Sequence, residues 1–298
     1  MELSFGDITV ACTNIDRVVF PDAGLTKGDV LRYYADLADV IVPELRGRPL
    51  TIERFTKGID KGGFYQKHAQ KHYPPYIDRE ELGGKTRVVY PIVNDAAGLV
   101  YMVNQGGFVL HVWTSRRDTP WTPDLLVYDL DPPDGALALV RTGARIIREL
   151  LDQLELTTFV KTTGSKGLHV VAPLDGTATF DEVGTLCARI NALLCARHPD
   201  QLTTEFYKKD RKGRLFLDTM RNTYGATVVA PYSLRGRPGA PVSAPIRWDE
   251  LDTIAPDTIR LPDVRARLEA HGDPWRDLRA RPGSVVAAAA ALDRLPRP

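Results

Sequence analysis

Net charge is nearly absent from this chain. Its 39 Lys and Arg against 38 Asp and Glu leave +1 over 298 residues, so the global balance announces no polyanionic partner. Cysteine is scarce as well. Cys12, Cys187 and Cys195 make no CxxC pair, and an odd count argues against a disulfide framework. Cys187 and Cys195 flank an apolar, helix-like run and are expected to be buried, inert thiols. The opening MELSFGDITV lacks the basic start and apolar core of a signal peptide. No run approaches the ~20 apolar residues that span a bilayer. The expectation is a soluble, cytoplasmic, nucleoid-associated protein with no membrane partner. No internal repeat or low-complexity linker divides the chain, and GxxxxGK[ST] is missing, which excludes a Walker A loop.

What is present is more informative. A hydrophobic content of 43% supports a substantial core, and the length suits one large domain or two small ones. Between Tyr207 and Arg237, Lys208, Lys209, Arg211, Lys212, Arg214, Arg221, Arg235 and Arg237 stand against Asp210 and Asp218, a local +6. A neutral total thus hides a basic stretch suited to a phosphate backbone. Asp249 to Asp277 leans acidic.

Thr26, with an acid three residues on, marks a helix start, and the helix is predicted to run through LRYYADLADVIV and stop before Pro43. RPLTIERF, TRVVYPIV, FVLHVW, LLVYDLD, FVKTT, LHVVAP, RLFLD and ATVVAPYS read as strands. Leu137–Leu154, Phe180–Ala196 and the final AAAAALDRL read as helices. Strands and helices intermix, which predicts an α/β (α+β) fold of sheets with packed helices.

The chemistry starts in LLVYDLDPP. Residues i and i+2 of a strand share a face, so Asp129 and Asp131 project together. Two close carboxylates repel, and a divalent cation with hard oxygen ligands relieves them. An acid before Pro-Pro is equally the composition of a solvated turn. Asp218, ending RLFLD, is a third acid, and Arg221 can meet a phosphate bidentately. Each alone could be a structural ion pair. The turn in KTTGSKGLH offers hydroxyls, amides and Lys166 for a triphosphate, followed by His169. His111 alternates with Val109 and Trp113 in FVLHVW. Arg235 and Arg237 lie on a Gly/Pro-shaped loop within reach of phosphates. Phe64 and Tyr65, aromatics among lysines and histidines, have the make-up of a base-stacking platform, or equally of two core aromatics.

Together TNIDRVVFP, GLTKGDVLRYY, GFYQKHA, GFVLHVW, LVYDLDPP, VKTTGSKGLHV, LFLDTMRN, VAPYSLRGRPGAPVSAPIRW and DPW resemble, in order, the polymerase domain of bacterial ATP-dependent DNA ligase D. That family is a branch of the archaeo-eukaryotic primase superfamily. The resemblance covers about residues 12 to 276. It implies a primase-type core of mixed and antiparallel sheets over about 93–280, an N-terminal DNA-binding module over about 1–92, and a tail at 281–298. It implies metal-dependent transfer of a nucleotide from NTP or dNTP to a DNA 3′ end, with a preference for ribonucleotides. Template-directed extension or short-gap filling would serve non-homologous end joining or excision repair. Asp129, Asp131 and Asp218 fall on the family's ligands for two ions, Mn²⁺ or Mg²⁺. His111, Thr163, Ser165, Lys166, His169, Arg221 and Arg235 fall in its nucleotide-binding segments. Phe64 and Tyr65 match the pair that stacks on the template base. Asn14, Arg17 and Lys27 match the pocket for a downstream 5′-phosphate.

The implied partners are gapped or broken DNA, a separate DNA ligase and end-binding repair proteins. Two departures stand out: Thr163 and Ser165 replace serine and glycine of the usual TSGGKGLH, and Arg17 stands where lysine is usual. The KxDG motif of a ligase adenylation domain is absent, which leaves a stand-alone relative or an excised domain. The competing readings are a two-metal nuclease, a haloacid-dehalogenase-type phosphatase or a non-catalytic nucleic-acid-binding module. The phosphatase motif wants Thr or Val where Pro133 stands, and no GDxxxD follows.

Overall fold

Continuous apolar runs set an inner strand in each of the two four-stranded sheets. The structure is a computed structural model that describes residues 1–84 and 86–296; residues 297 and 298 of the expected tail lie outside the described residues. The fold is mixed α/β with antiparallel sheets, as the sequence leads one to expect. It divides into two compact units, each assembled from several stretches of sequence.

The first unit comprises Met1–Asp118, Thr227–Ala244 and Ile259–His271. Its sheet runs in the order Thr227–Val229, Gly107–Trp113, Leu50–Arg54, Phe64–Gln66, every pair antiparallel. The Gly107–Trp113 strand is buried on both faces except at His111. Thr26 caps the helix Lys27–Asp36, its side chain accepting from Asp29 N while Asp29 accepts from the Thr26 backbone. That helix does not run on to Pro43. It ends at Asp36, and a second helix, Ala38–Leu45, carries Pro43 inside it. Burial of Ile41, Val42 and Leu45 offsets the hydrogen bond that proline cannot make. The helix Ala96–Asn104, capped by Asp95, went unread in the sequence because its AAGLVYMVN is apolar almost all round.

The second unit comprises Thr119–Ala226, Pro245–Thr258 and Gly272–Pro298. Its sheet order is Leu125–Leu130, Leu168–Pro173, Phe159–Thr162, Pro245–Ile246, again antiparallel. The helix Leu137–Gln153 buries Val140, Ala144, Ile147 and Leu151 at helical spacing. Gly143 lets Leu215 approach: a Cβ there would stand 2.3 Å from a Leu215 methyl. Cys187 is buried, which pushes its thiol up to about 12. Cys195, expected to be buried, is half-exposed. Among the described residues no helix is long and apolar enough to cross a membrane.

Candidate active site

Three acids meet at one end of the Leu125–Leu130 strand. Asp129 is its penultimate residue and Asp131 lies just past its end. Asp218 follows the short strand Leu215–Phe216 and forms an isolated antiparallel bridge with Asp129, whose N–H donates to the Asp218 carbonyl at 3.0 Å. Asn222 extends this pairing with a side chain. Its Oδ1 accepts from Val127 N and its Nδ2 donates to Val127 O, both at 2.8 Å. The amide clamps the Met220–Asn222 turn to the strand, and so holds Arg221 next to the acids.

Asp129 is the engaged member. His169, its register partner on the neighbouring strand, donates from Nε2 at 3.2 Å, and Arg221 Nε donates at 3.1 Å. Burial raises the Asp129 carboxyl, but His169 and Arg221 outweigh it and hold the group well below the usual carboxylate range. Burial also pulls His169 down to about 4, with the charge of Lys161 acting the same way. The imidazole is therefore neutral near pH 7, and the charge opposite Asp129 is that of Arg221. Its other nitrogen, Nδ1, is buried with no hydrogen-bond partner among the described residues. Asp131 and Asp218 shift the other way. Burial raises both, and the negative charge of Asp129 adds to it. Asp218 keeps one partial compensation, the Met220 N–H at 2.8 Å.

The donor chemistry suits a hard divalent cation, since three carboxylates crowd one another without enough positive charge to neutralise them. Among the described residues, however, no three His, Cys, Asp or Glu side chains form a ready-made metal shell. In this arrangement Asp129 is engaged with His169 and Arg221.

The turn between Phe159–Thr162 and Leu168–Pro173 lies against the same strand end. Thr163 is buried and serves the turn itself, its hydroxyl donating to Gly167 O at 3.0 Å and accepting from Gly167 N at 3.2 Å. Gly167 is required by close approach: a Cβ would lie 2.2 Å from the Leu130 carbonyl and 2.8 Å from an Asp131 carboxylate oxygen. Ser165 is half-exposed and Lys166 exposed, and the Lys166 charge acts on Asp131. Asp129, Asp131, Asp218, Lys166, His169 and Arg221 are thus gathered within the second unit.

His111, Arg235, Phe64 and Tyr65 belong to the first unit. Phe64 and Tyr65 are exposed, 51% and 61%, on the edge strand Phe64–Gln66, which excludes the core-aromatic alternative. Tyr65 meets His111 edge-on, ring centroids 5.6 Å apart. Arg235 sits on the loop closed by the Leu234–Val242 bridge, where Gly236 admits the Phe55 ring: a Cβ would lie 2.1 Å from it.

Asn14, Arg17 and Lys27 line one cavity of about 200 Å³ in this unit, with Arg54, Thr56 and Asn104 among the other walls. Asn14 takes a left-handed φ of 53°, a conformation asparagine tolerates. Lys27 Nζ donates to Thr13 O at 2.8 Å and Asn104 Oδ1 at 2.7 Å. Burial pulls Lys27 down to about 8, and the charge of Arg17 adds to that. Arg17 donates to Thr56 O. Arg54, Asn104 and Asn222 carry no motif and were missed in the sequence; the one available signal was polarity inside otherwise apolar elements.

A sequence model of the family described as "LigD, primase-polymerase domain" matches residues 26–275. A Mycobacterium tuberculosis protein called multifunctional non-homologous end joining DNA repair protein LigD is 35% identical over 274 residues, covering 89% of this chain and 36% of its own length. Bifunctional non-homologous end joining protein LigD of Bacillus subtilis is 30% identical over 278 residues, 91% of this chain and 44% of that protein. The chain thus spans less than half the length of these relatives. Among solved structures, the polymerase domain from Mycobacterium tuberculosis ligase D in complex with DNA is similar at a TM-score of 0.86 and 34% identity, covering 91% of this chain and 98% of that one.

Proposed function

The chain belongs to the LigD primase-polymerase domain family, and from that membership we propose that it transfers a nucleotide from NTP or dNTP to a DNA 3′ end. The observation that carries the reading is the meeting of Asp129, Asp131 and Asp218 at one strand end beside Arg221 and Lys166. Asp131 and Asp218, with Asp129 released from part of its present bonding, would hold two Mn²⁺ or Mg²⁺ ions. Such ions neutralise the attacking and leaving oxygens of phosphoryl transfer.

The chain's own residues supply the rest. Arg221 keeps Asp129 ionised and presents a planar fork to phosphate. His169, neutral and buried, fixes the Asp129 carboxylate by a hydrogen bond. Ser165 and Lys166 lie on a turn pinned by Thr163 and Gly167 and are assigned to the triphosphate. His111 and Arg235, in the first unit, are assigned to nucleotide contacts. Phe64 and Tyr65 are assigned to stacking on a template base, and Asn14, Arg17 and Lys27 to a downstream 5′-phosphate.

The biological setting proposed is filling of short gaps or extension of broken ends, in non-homologous end joining or excision repair. A separate ligase and end-binding proteins would act alongside. A nuclease or phosphatase does not call for an exposed aromatic pair, and a purely binding module does not call for three crowded carboxylates. The test is Asp131→Ala, followed by primer extension and by DNA binding on the same gapped duplex. Extension should fall at least ~10²-fold with DNA affinity nearly unchanged. Parallel loss of both would make Asp131 a structural residue.

A further inference from the structure

Arg54 belongs to two places at once. It lines the cavity of Asn14, Arg17 and Lys27, and its guanidinium carbon stands 5.7 Å from the centroid of the exposed Phe64 ring. The register explains how one side chain reaches both. Arg54 ends the strand Leu50–Arg54 directly opposite Phe64 on the edge strand, and Gln66, two residues after Phe64, shares its face. Arg54 Nη1 donates to Gln66 Oε1 at 2.7 Å, while Nε donates to the Gln105 carbonyl at 2.8 Å. Gln105 is itself a wall of the cavity. Gln66 is held in turn, its Nε2 donating to the Tyr73 hydroxyl at 2.6 Å and to the His68 carbonyl at 3.1 Å. All of these residues lie in the first unit. The third guanidinium nitrogen, Nη2, has no acceptor among the described residues.

A bracket between Gln105 and Gln66 does not call for an arginine at this spot. The cavity already holds Arg17 and Lys27, and no Asp or Glu lines it, so a third cation adds repulsion that an anion relieves. Phosphate is the anion that an arginine fork fits, and Nη2 is the donor left to meet it. With that contact all three guanidinium nitrogens are engaged. The plane is then fixed, and the Phe64 ring beside it gains a fixed cationic neighbour. We propose that Arg54 couples the two subsites: a downstream 5′-phosphate in the cavity fixes the Arg54 plane, orders the Phe64 ring and strengthens stacking of a template base on it. The coupling rests on the proposed roles of the cavity and of Phe64. It is reciprocal, so a base stacked on Phe64 tightens the hold on the phosphate by the same factor. The enzyme thereby favours DNA that offers an unpaired template base and a phosphorylated downstream end together.

The experiment measures binding and stacking on a gapped duplex that carries 2-aminopurine at an unpaired template position, with and without the downstream 5′-phosphate. Wild type, Phe64→Leu, Arg54→Gln and Arg54→Lys are compared, with no nucleotide added. In wild type the phosphate should tighten binding and, at saturating protein, deepen the quenching of 2-aminopurine. Phe64 is exposed and lines no part of the cavity. Phe64→Leu should nevertheless lower the phosphate preference about 5-fold, the lower end of typical coupling between sites. An Arg54 that serves only as a bracket would leave that preference unmoved. Arg54→Gln should lower it as well and make quenching independent of the phosphate. Arg54→Lys should not restore the response, since a point charge cannot serve the phosphate and Gln66 in one plane. A phosphate preference in Phe64→Leu equal to that of wild type overturns the coupling and leaves the phosphate pocket standing. So does wild-type quenching that the phosphate does not change, a measurement that needs no variant to fold. Equal binding of both duplexes by wild type removes the pocket, and the coupling with it.

Discussion

At the scale of single residues, the site is an electrostatic compromise. Asp129 is ionised by Arg221 and hydrogen-bonded by His169, while burial and the charge of Asp129 raise Asp131 and Asp218 from the ordinary aspartate value. The sign follows. A carboxyl raised in the folded state loses its proton first in the unfolded chain, so its ionisation weakens the fold above the folded pKa. That penalty vanishes as pH falls below the unfolded value. In metal-free protein at pH 7, Asp218→Asn should therefore raise Tm, since asparagine keeps the oxygen that accepts from Met220. At pH 3 the gain should disappear. The same variant should lose nucleotide incorporation by at least ~10²-fold, and Mn²⁺ should raise the Tm of wild type more than that of the variant. A thermal melt at both pH values, with and without Mn²⁺, checks all of this; a lower Tm at pH 7 would mean the acids do not repel. The spacing DLD and the third acid of RLFLD were legible because a strand has a fixed two-residue period. Asn222 was not, since one polar residue in a turn leaves no pattern, and its role comes from a partner distant in the chain.

At the scale of elements, the turn of KTTGSKGLH is shaped by backbone space. Gly167 is there because its α-carbon passes too close to Leu130 O and Asp131 for any side chain. Gly167→Ala should push the turn away from the strand end. The expected result is a rise in KM for nucleotide of about tenfold or more, with a modest loss of stability of ~1–3 kcal/mol from overpacking. Steady-state kinetics and a denaturant melt separate the two effects; unchanged KM would detach the turn from the nucleotide. The inner strands of both four-stranded sheets and the helices Leu137–Gln153 and Phe180–Arg197 were legible from apolar period. The break at Leu37 and the passage through Pro43 were not, because tertiary burial of Ile41, Val42 and Leu45 overrides the local preference of proline. Both compact units take up distant stretches of chain, which no local pattern can announce.

At the scale of the whole molecule, a net charge of +1 cannot hold DNA by itself, so affinity has to come from localised sites. The cavity lined by Asn14, Arg17 and Lys27 is the one proposed for a downstream 5′-phosphate. Wild type should bind a gapped duplex more tightly when the downstream strand carries a 5′-phosphate, and Arg17→Ala/Lys27→Ala should not discriminate. The preference should weaken with salt. It should also weaken as pH rises from 7 to 9, because Lys27, pulled down to about 8 by burial, loses its charge in that window. Equal binding of both duplexes by wild type would remove the pocket. The central claim, that Asp129, Asp131 and Asp218 form a nucleotidyl-transfer centre, is tested most directly by incorporation of labelled nucleotide into a short-gap duplex with Mn²⁺. Wild type should add the complementary nucleotide to the 3′ end, addition should stop when the metal is chelated, and Asp131→Ala should add none. Incorporation that survives chelation, or that Asp131→Ala performs as well as wild type, would contradict it.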